Sequence, residues 1–306
     1  AAGQIALIAI ERKRAEESAR AAQMRFQGIL GIAQDGIISV DSHQRIVLFN
    51  QGAEKIFGYT QAEMMGSLLE LLLPQRFSAA HEKHVVDFAR SPDVARMMGQ
   101  RREVSGRRRD GGEFPAEASI SKLDLGGELV LTVILRDITE RKRAEQRLMA
   151  QHTVTQMLAE AATLEEVTPK ILQAVCECLV WDLGELWRID RAAGVLRCVE
   201  VWHKEFVEAP EFVATTHDMT FLPGIGLPGR VWSSREPAYI PDVVQDSNFP
   251  RAPIAAREGL HAAFAFPILL GSEVVGVMDF FSREIRQPDQ DLLDMMATIG
   301  SQIGQF

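Results

Sequence analysis

The sequence predicts an α+β chain of two domains, each built on one antiparallel sheet with flanking helices, and joined by long coiled-coil linker helices. Three observations carry this expectation. The hexapeptide Glu-Arg-Lys-Arg-Ala-Glu occurs twice, at Glu11–Glu16 and Glu140–Glu145, each time opening a helix-patterned stretch. Between the copies the apolar pattern gives two strands, then helices, then three strands. After the second copy come a helical stretch, two strands, a long irregular stretch, two more strands and a closing helix.

With 306 residues, 46% apolar and 25% charged, the chain is long enough for two globular cores. Its net charge of −9 excludes a general nucleic-acid binder, which needs a surplus of Lys and Arg against phosphate. The basic hexapeptides are local features. The longest strongly apolar stretches, such as "AAFAFPILL", fall well short of the roughly 20 residues of a spanning helix, so no membrane segment is expected. No signal peptide is expected, and Cys176, Cys178 and Cys198 cannot all pair within one chain, which fits a reducing, cytoplasmic setting. Cys176 and Cys178 lie two apart on an expected helix and point to different faces, which suits plain thiols and not a metal or redox pair.

At the N-terminus Ile5, Ile8, Arg12, Ala15, Ala19, Ala22, Phe26 and Ile29 step by three and four, a coiled-coil register. The seam is mostly alanine with one Arg, too weak to hold a helix alone, so pairing with a second chain is expected; packing on its own domain is the alternative. From Ile32 the period becomes two. "DGIISVD" and "RIVLFN" flank the turn "DSHQ" as a hairpin, short helices follow through "QGAEKIFGY" and "QAEMMGS", and a longer one through "FSAAHEKHVVDFAR". After Pro92 three strands follow, "RREVSGRRR", "FPAEASISKL" and "LVLTVILRD"; Asp110-Gly111-Gly112 turns the first into the second, because Asp and Gly tolerate positive φ.

These words, in this order, resemble the PAS sensory domain. The carriers are "DGIISVD", "RIVLFNQGAEKIFGY", "RRRDGGEFPAEASIS" and "LRDITERKRAE", whose Asp137-Ile138-Thr139 matches the triplet with which such domains end. The resemblance implies a five-stranded sheet whose concave face encloses a small pocket. Beyond the second hexapeptide, "PGIGLPGRVW", "PAYIPDVVQDSNFPRA", "GLHAAFAFPIL" and "EVVGVMDFFS" resemble a GAF domain. That resemblance implies a six-stranded sheet with a ligand cavity on one side and helices on the other. The expected organisation is a linker helix over 1–25, PAS over 26–140, a linker over 141–163 that merges into the first helix of the second domain, and GAF over 147–306. Gly300-Ser301-Gln302-Ile303 lines up with Ala2-Gly3-Gln4-Ile5, so residues 1–10 are expected to be the tail of a preceding GAF domain.

Several motifs invite chemistry. Gly111-Gly112-Glu113-Phe114 lacks one acid of the "GG(D/E)EF" signature of diguanylate cyclases, and its place in a tight turn makes it structural. Gly224-Ile225-Gly226-Leu227-Pro228-Gly229 satisfies "GxGxxG" without the βαβ unit that lets such a loop cradle phosphate. His81 and His84 share a helix face, yet two histidines are too few for a closed zinc site. In PAS domains that resemble oxygen-sensing haem kinases, an axial His stands on this helix after "LLP" and the hairpin strand supplies an Arg to bound oxygen. His81 and Arg102 take those places, whereas His84, Asp87 and Phe88 stand where those proteins carry Tyr and Arg around the propionates. A His here also occurs in PAS domains without haem, so both alternatives stand. In the GAF stretch Trp202, Trp232, Phe264 and Phe266 are candidates for lining a cavity or for core.

No phospho-acceptor box, ATP-binding motif or nucleophile–base arrangement is evident, so no enzyme activity is expected within the chain itself. The expectation is a cytosolic, dimerising PAS–GAF input module of a sensor histidine kinase in two-component phosphorelay signalling. It would relay pocket occupancy through Asp137, Thr139 and Glu140 into the linker helix. The alternatives are a haem-based gas sensor and the input region of a diguanylate cyclase or phosphodiesterase. Expected partners are a second copy of the chain, an output domain and a small-molecule ligand.

Overall fold

The computed structural model describes residues 2–91, 94–97, 104–124, 128–207 and 209–306. The chain divides into two compact units, Ala1–Lys142 and Arg143–Phe306.

The first unit opens on α1 (Ala2–Ile32), one unbroken helix. β1 (Gly36–Val40) and β2 (Ile46–Phe49) form the expected hairpin, its turn held by Asp41, whose Oδ1 accepts from the amides of His43 and Arg45 at 2.8 and 2.9 Å. Asn50 caps α2 (Gln51–Phe57), and Thr60 with Glu63 makes a capping box for α3 (Gln61–Met64). After two short 3₁₀ turns comes α4 (Ser78–Arg90). β3 (Ala95–Met97), β4 (Val104–Arg107), β5 (Glu113–Asp124) and β6 (Leu129–Asp137) complete an antiparallel sheet in the order β2-β1-β6-β5. β4 pairs with Glu113–Ala116 and β3 with Ser119–Ser121, so the two share the edge beside β5 and the sheet is five strands wide. β3 was not expected from the sequence. It forms because β5 is three times as long as β4, and the far half of β5 has backbone groups to pair. Gly111 takes φ +88° in the β4–β5 turn, as the Asp-Gly-Gly sequence requires. Along β5 the residues Phe114, Ala116, Ala118 and Ile120 are buried and alternate with more exposed ones, so one face of the sheet meets the helices.

The second unit contains most of α5 (Thr139–Glu160), then α6 (Leu164–Leu179), which Thr163 caps and which continues through Pro169. β7 (Leu183–Asp190) and β8 (Val195–His203) follow. The stretch that looked irregular in sequence holds α7 (Pro210–Asp218), β9 (Thr220–Phe221), α8 (Gly226–Ser234), β10 (Ala238–Ile240) and α9 (Ala252–Glu258). β11 (Ala262–Leu270), β12 (Glu273–Ser282) and α10 (Gln290–Gln305) end the chain. The six strands run antiparallel in the order β10-β11-β12-β7-β8-β9.

This sheet is covered on both faces, which is why its central strands read as continuous apolar runs. Leu186, Phe264, Phe266 and Phe280 pack with α5, α6 and α10. Their strand neighbours Trp187, Ala263, Ala265 and Phe281 pack with α7, α8 and α9. α10 lies close on β11 through Gly300 and Gly304, where a Cβ would come within 2.1 Å of the carbonyl oxygens of Pro267 and Leu269.

Candidate functional site

A small cavity lies inside the first unit between the sheet and α4. β1, β5 and β6 supply apolar walls through residues such as Val40, Ile120 and Val133, β4 supplies Ser105, and α4 supplies His81. The cavity volume is about 80 Å³, room for a few water-sized bodies and well below the roughly 300 Å³ at which clefts for drug-sized ligands begin. Burial, followed by the neighbouring His84, holds the imidazole of His81 below its ordinary value, so it is neutral at neutral pH. His84, on the same helix, is exposed. Arg102 lies outside the described residues. As a donor, a neutral imidazole in an apolar wall suits haem iron. As a space, the cavity does not accommodate a macrocycle, so the fit is of the ligating atom alone.

The strand that supplies Leu131, Val133 and Leu135 to this cavity ends at Asp137. The Asp137 carboxylate accepts from the backbone N–H of Thr139 at 2.8 Å and from its hydroxyl at 2.6 Å, so it satisfies amide groups where α5 begins. Its other oxygen pairs with Arg108 at the end of the β4–β5 hairpin. Arg108 in turn donates to the carbonyl of Ile56 at the end of α2 and lies over the Phe114 ring, 4.2 Å from its centre. Burial alone would raise the Asp137 carboxyl, but the Thr139 bonds and Arg108 together hold it below its ordinary value. Glu140 lies exposed in the first turn of α5, where a carboxylate complements the helix dipole. The structure therefore brings Asp137 and Thr139 together and adds Arg108, which sequence reasoning missed.

On the α7–α9 face of the second sheet, the place where a ligand cavity was expected is filled by Arg251. Its guanidinium lies 4.3 Å from the centre of the Phe212 ring and 5.1 to 5.6 Å from those of Trp187, Phe221, Phe249 and Phe281. It is paired with the equally buried Glu185 and Asp279. Of the four aromatic candidates, Phe264 and Phe266 are fully buried on the opposite face and Trp202 packs with them. Trp232 packs on the α7–α9 side and borders an open cleft of about 410 Å³ beside the Arg191–Glu273 ion pair.

The remaining motifs are structural. Glu113 of the "GGEF" stretch pairs with Arg76 while Phe114 is core. In the "GxGxxG" loop the Gly226 N–H donates to Asn248 Oδ1 at 3.1 Å and the Gly224 N–H to the Gly229 carbonyl at 2.7 Å, so these amides serve the chain's own turns. Cys176 is buried and Cys178 half-buried, and both are free. Among the described residues no cluster of three or more His, Cys, Asp or Glu is placed to hold a metal, and no helix is long and apolar enough to cross a membrane.

Comparison with known proteins agrees with this architecture. Residues 34–140 match the PAS domain family and residues 161–306 the GAF domain family. Sensor protein FixL of Bradyrhizobium diazoefficiens is 33% identical over 138 residues, 45% of this chain and 27% of that protein. Oxygen sensor protein DosP of Escherichia coli is 24% identical over 119 residues, 38% of this chain and 15% of that protein. The cell-division control histidine kinase PdhS of Brucella abortus is 32% identical over 123 residues, 39% of this chain and 11% of that protein. The matches thus span about a quarter or less of each relative's length. Among solved structures, the GAF domain of a phosphoenolpyruvate-protein phosphotransferase from Coxiella burnetii covers 53% of this chain and 92% of its own, at 19% identity and a TM-score of 0.46. The PAS domain of an HTR-like protein from Haloarcula marismortui covers 41% and 99%, at 25% identity and a TM-score of 0.36. With both resemblances matched in the expected order, the chain is a PAS domain, over 34–140, followed by a GAF domain, over 161–306.

Proposed function

We propose that the chain is the cytosolic, dimerising input region of a sensor histidine kinase in two-component signalling, with the PAS cavity as its sensing site and the linker helices as its relay. The observation that carries this reading is the continuity of β6. Its inward residues line the cavity, and Asp137 at its end holds the first residue of the helix that follows. A ligand that displaces β6 therefore changes the geometry at the start of α5 through one carboxylate and its partner Arg108. Similarity to a protein named as a histidine kinase, over the PAS stretch, supports the choice of output. The dimer would form through α1 and the helix that the second hexapeptide opens.

The test is Asp137→Ala in the intact parent protein. Regulated output should be lost, or fixed in one state, while the PAS and GAF domains still fold. Unchanged regulation in a folded variant would sink the coupling role.

A second reading of the same cavity, haem-based gas sensing, is favoured by His81 and by the similarity to a protein named as an oxygen sensor; the cavity volume counts against it. On this reading His81 would ligate the iron, with Arg102 as the partner of bound oxygen. Purified chain mixed with haem should then show a Soret band that His81→Ala abolishes, and a chain that stays colourless ends the idea.

A further inference from the structure

At the centre of the GAF core, three ionisable side chains are sealed from solvent. Glu185 on β7, Asp279 on β12 and Arg251 just before α9 each have 0% exposure. Glu185 and Asp279 are register partners on neighbouring antiparallel strands, so their side chains leave the sheet side by side on one face. A single donor confirms how close they lie: the indole N–H of Trp187 reaches Glu185 Oε2 at 3.2 Å and Asp279 Oδ1 at 3.0 Å.

The two acids are not equally provided with donors. Arg251 Nη1 lies 2.7 and 2.9 Å from the two oxygens of Glu185, and the Thr216 hydroxyl lies 2.9 Å from Glu185 Oε1. Among the described residues the donor to Asp279 Oδ2 is Arg251 Nη2, at 3.4 Å. With both acids ionised the cluster would carry two negative charges against one positive, a net charge of −1 in an apolar core. An unbalanced charge buried away from water is costly even after relaxation, and like charges directly opposite on paired strands repel. One proton removes both penalties, because a neutral carboxyl on Asp279 can donate to the adjacent carboxylate and still accept from Trp187.

We infer that the Glu185–Asp279 pair of the GAF domain is a proton-binding site that holds one proton in the folded state, with Arg251 as the counter-charge to the carboxylate that remains. Burial, followed by the Glu185 charge, pushes the Asp279 carboxyl well above its ordinary value, and Arg251 offsets this only in part. The groups that face the pair are Trp187 on β7, Thr216 on α7, Arg251 before α9 and the Cys198 thiol on β8. Cys198 is itself pushed up by burial and then by the two acids, so it stays neutral. The cluster joins the sheet centre to α7 and to the segment before α9. Loss of the proton would leave unbalanced charge where those three pieces meet.

The sign follows from linkage. The unfolded Asp carboxyl titrates near the ordinary value of about 3.9, and the folded one well above it. Between the two values the folded state holds a proton that the unfolded state has released. Stability of the GAF domain therefore falls as pH rises through that window, by up to about tenfold in the folding constant per pH unit, and levels off above the folded value.

All four tryptophans, at 181, 187, 202 and 232, belong to this domain, so tryptophan fluorescence of the whole chain reports its unfolding selectively. Asp279→Asn, which replaces the neutral acid by an amide that can still donate to Glu185, should fold and should lose this descending pH dependence, gaining stability relative to the natural chain as pH rises. In the natural folded chain at neutral pH, the infrared carbonyl stretch of a neutral carboxylic acid should be present, and it should be absent from the Asn variant. The inference is overturned by a natural chain without that band at neutral pH. It is equally overturned by an Asn variant that retains the natural pH slope, or one that is destabilised at every pH as loss of an ionised partner would require.

Discussion

Asn50 shows how much of the PAS domain one side chain can hold. Only 6% exposed, its Oδ1 accepts from the amides of Ile37 and Ala53 at 2.7 and 2.9 Å, and its Nδ2 donates to the carbonyls of Asp35 and Leu30 at 3.1 and 3.2 Å. It thus ties the end of α1, the start of β1 and the first turn of α2 at one point. Asn50→Ala leaves those backbone groups short of partners in a buried place, and should cost the PAS domain about 1–3 kcal/mol in calorimetric unfolding. The tryptophan-detected GAF transition should not move; an unshifted PAS transition would refute the role. Asp137 was legible in the sequence because it falls in a recognisable triplet beside its own partner, Thr139. Arg108 was not, because it lies 29 residues away and is one of three consecutive arginines, and only the fold decides which of them turns to the carboxylate. Glu185 and Asp279 did leave a signal: single acids in the middle of apolar strands, "LGELW" and "VMDFF", where a buried charge demands a partner. That the two acids stand side by side follows from the pairing of β7 with β12, and that Arg251 meets them follows from where the segment before α9 lies; no local pattern reveals either.

At the scale of elements, long periodic segments were legible and short ones were not. The β1–β2 hairpin, β5 and β6 stand where alternation places them, α4 where its helical pattern does, and the long strands of the GAF sheet where its apolar runs do. The stretch between β8 and β11 looked irregular because its helices span only seven to nine residues, too short for propensity to hold alone. Their support comes from far along the chain. The first amides of α7, those of Glu211 and Phe212, donate to the Glu258 carboxylate at the end of α9, at 2.8 and 2.9 Å, so tertiary contact supplies the cap. α5 shows a different divergence. Aligning the hexapeptides places a seam at Ala144, Leu148, Gln151, Thr155 and Leu158, but the stripe buried within the domain is Ala150, Val154 and Leu158. Leu148 and Thr155 are exposed. The seam expected to face a second chain and the stripe buried within the domain are thus largely different sides of one helix.

At the scale of the whole molecule, the function proposed above includes the pairing of two chains. α1 is where that pairing can be tested. From Arg12 to Ile29 its side chains are exposed apart from the half-buried Ala21, and Phe26 and Ile29, both on the expected heptad seam, are 54% and 61% exposed. A helix with so little of its surface covered gains its stability elsewhere, and a second copy in parallel register would cover Ala15, Ala19, Ala22, Phe26 and Ile29 together. The alanines contribute little area, so the two large residues dominate the gain from burial, at roughly 1.5–3 kcal/mol for each large apolar side chain fully buried. Replacing both, Phe26→Glu with Ile29→Glu, places facing acids in the seam and should convert a dimer to a monomer in analytical ultracentrifugation at micromolar concentration. The GAF unfolding transition should remain unchanged, since α1 belongs to the other unit. A natural chain that sediments as a monomer, or a double variant that remains a dimer, would remove α1 from the relay and leave pairing to some other surface.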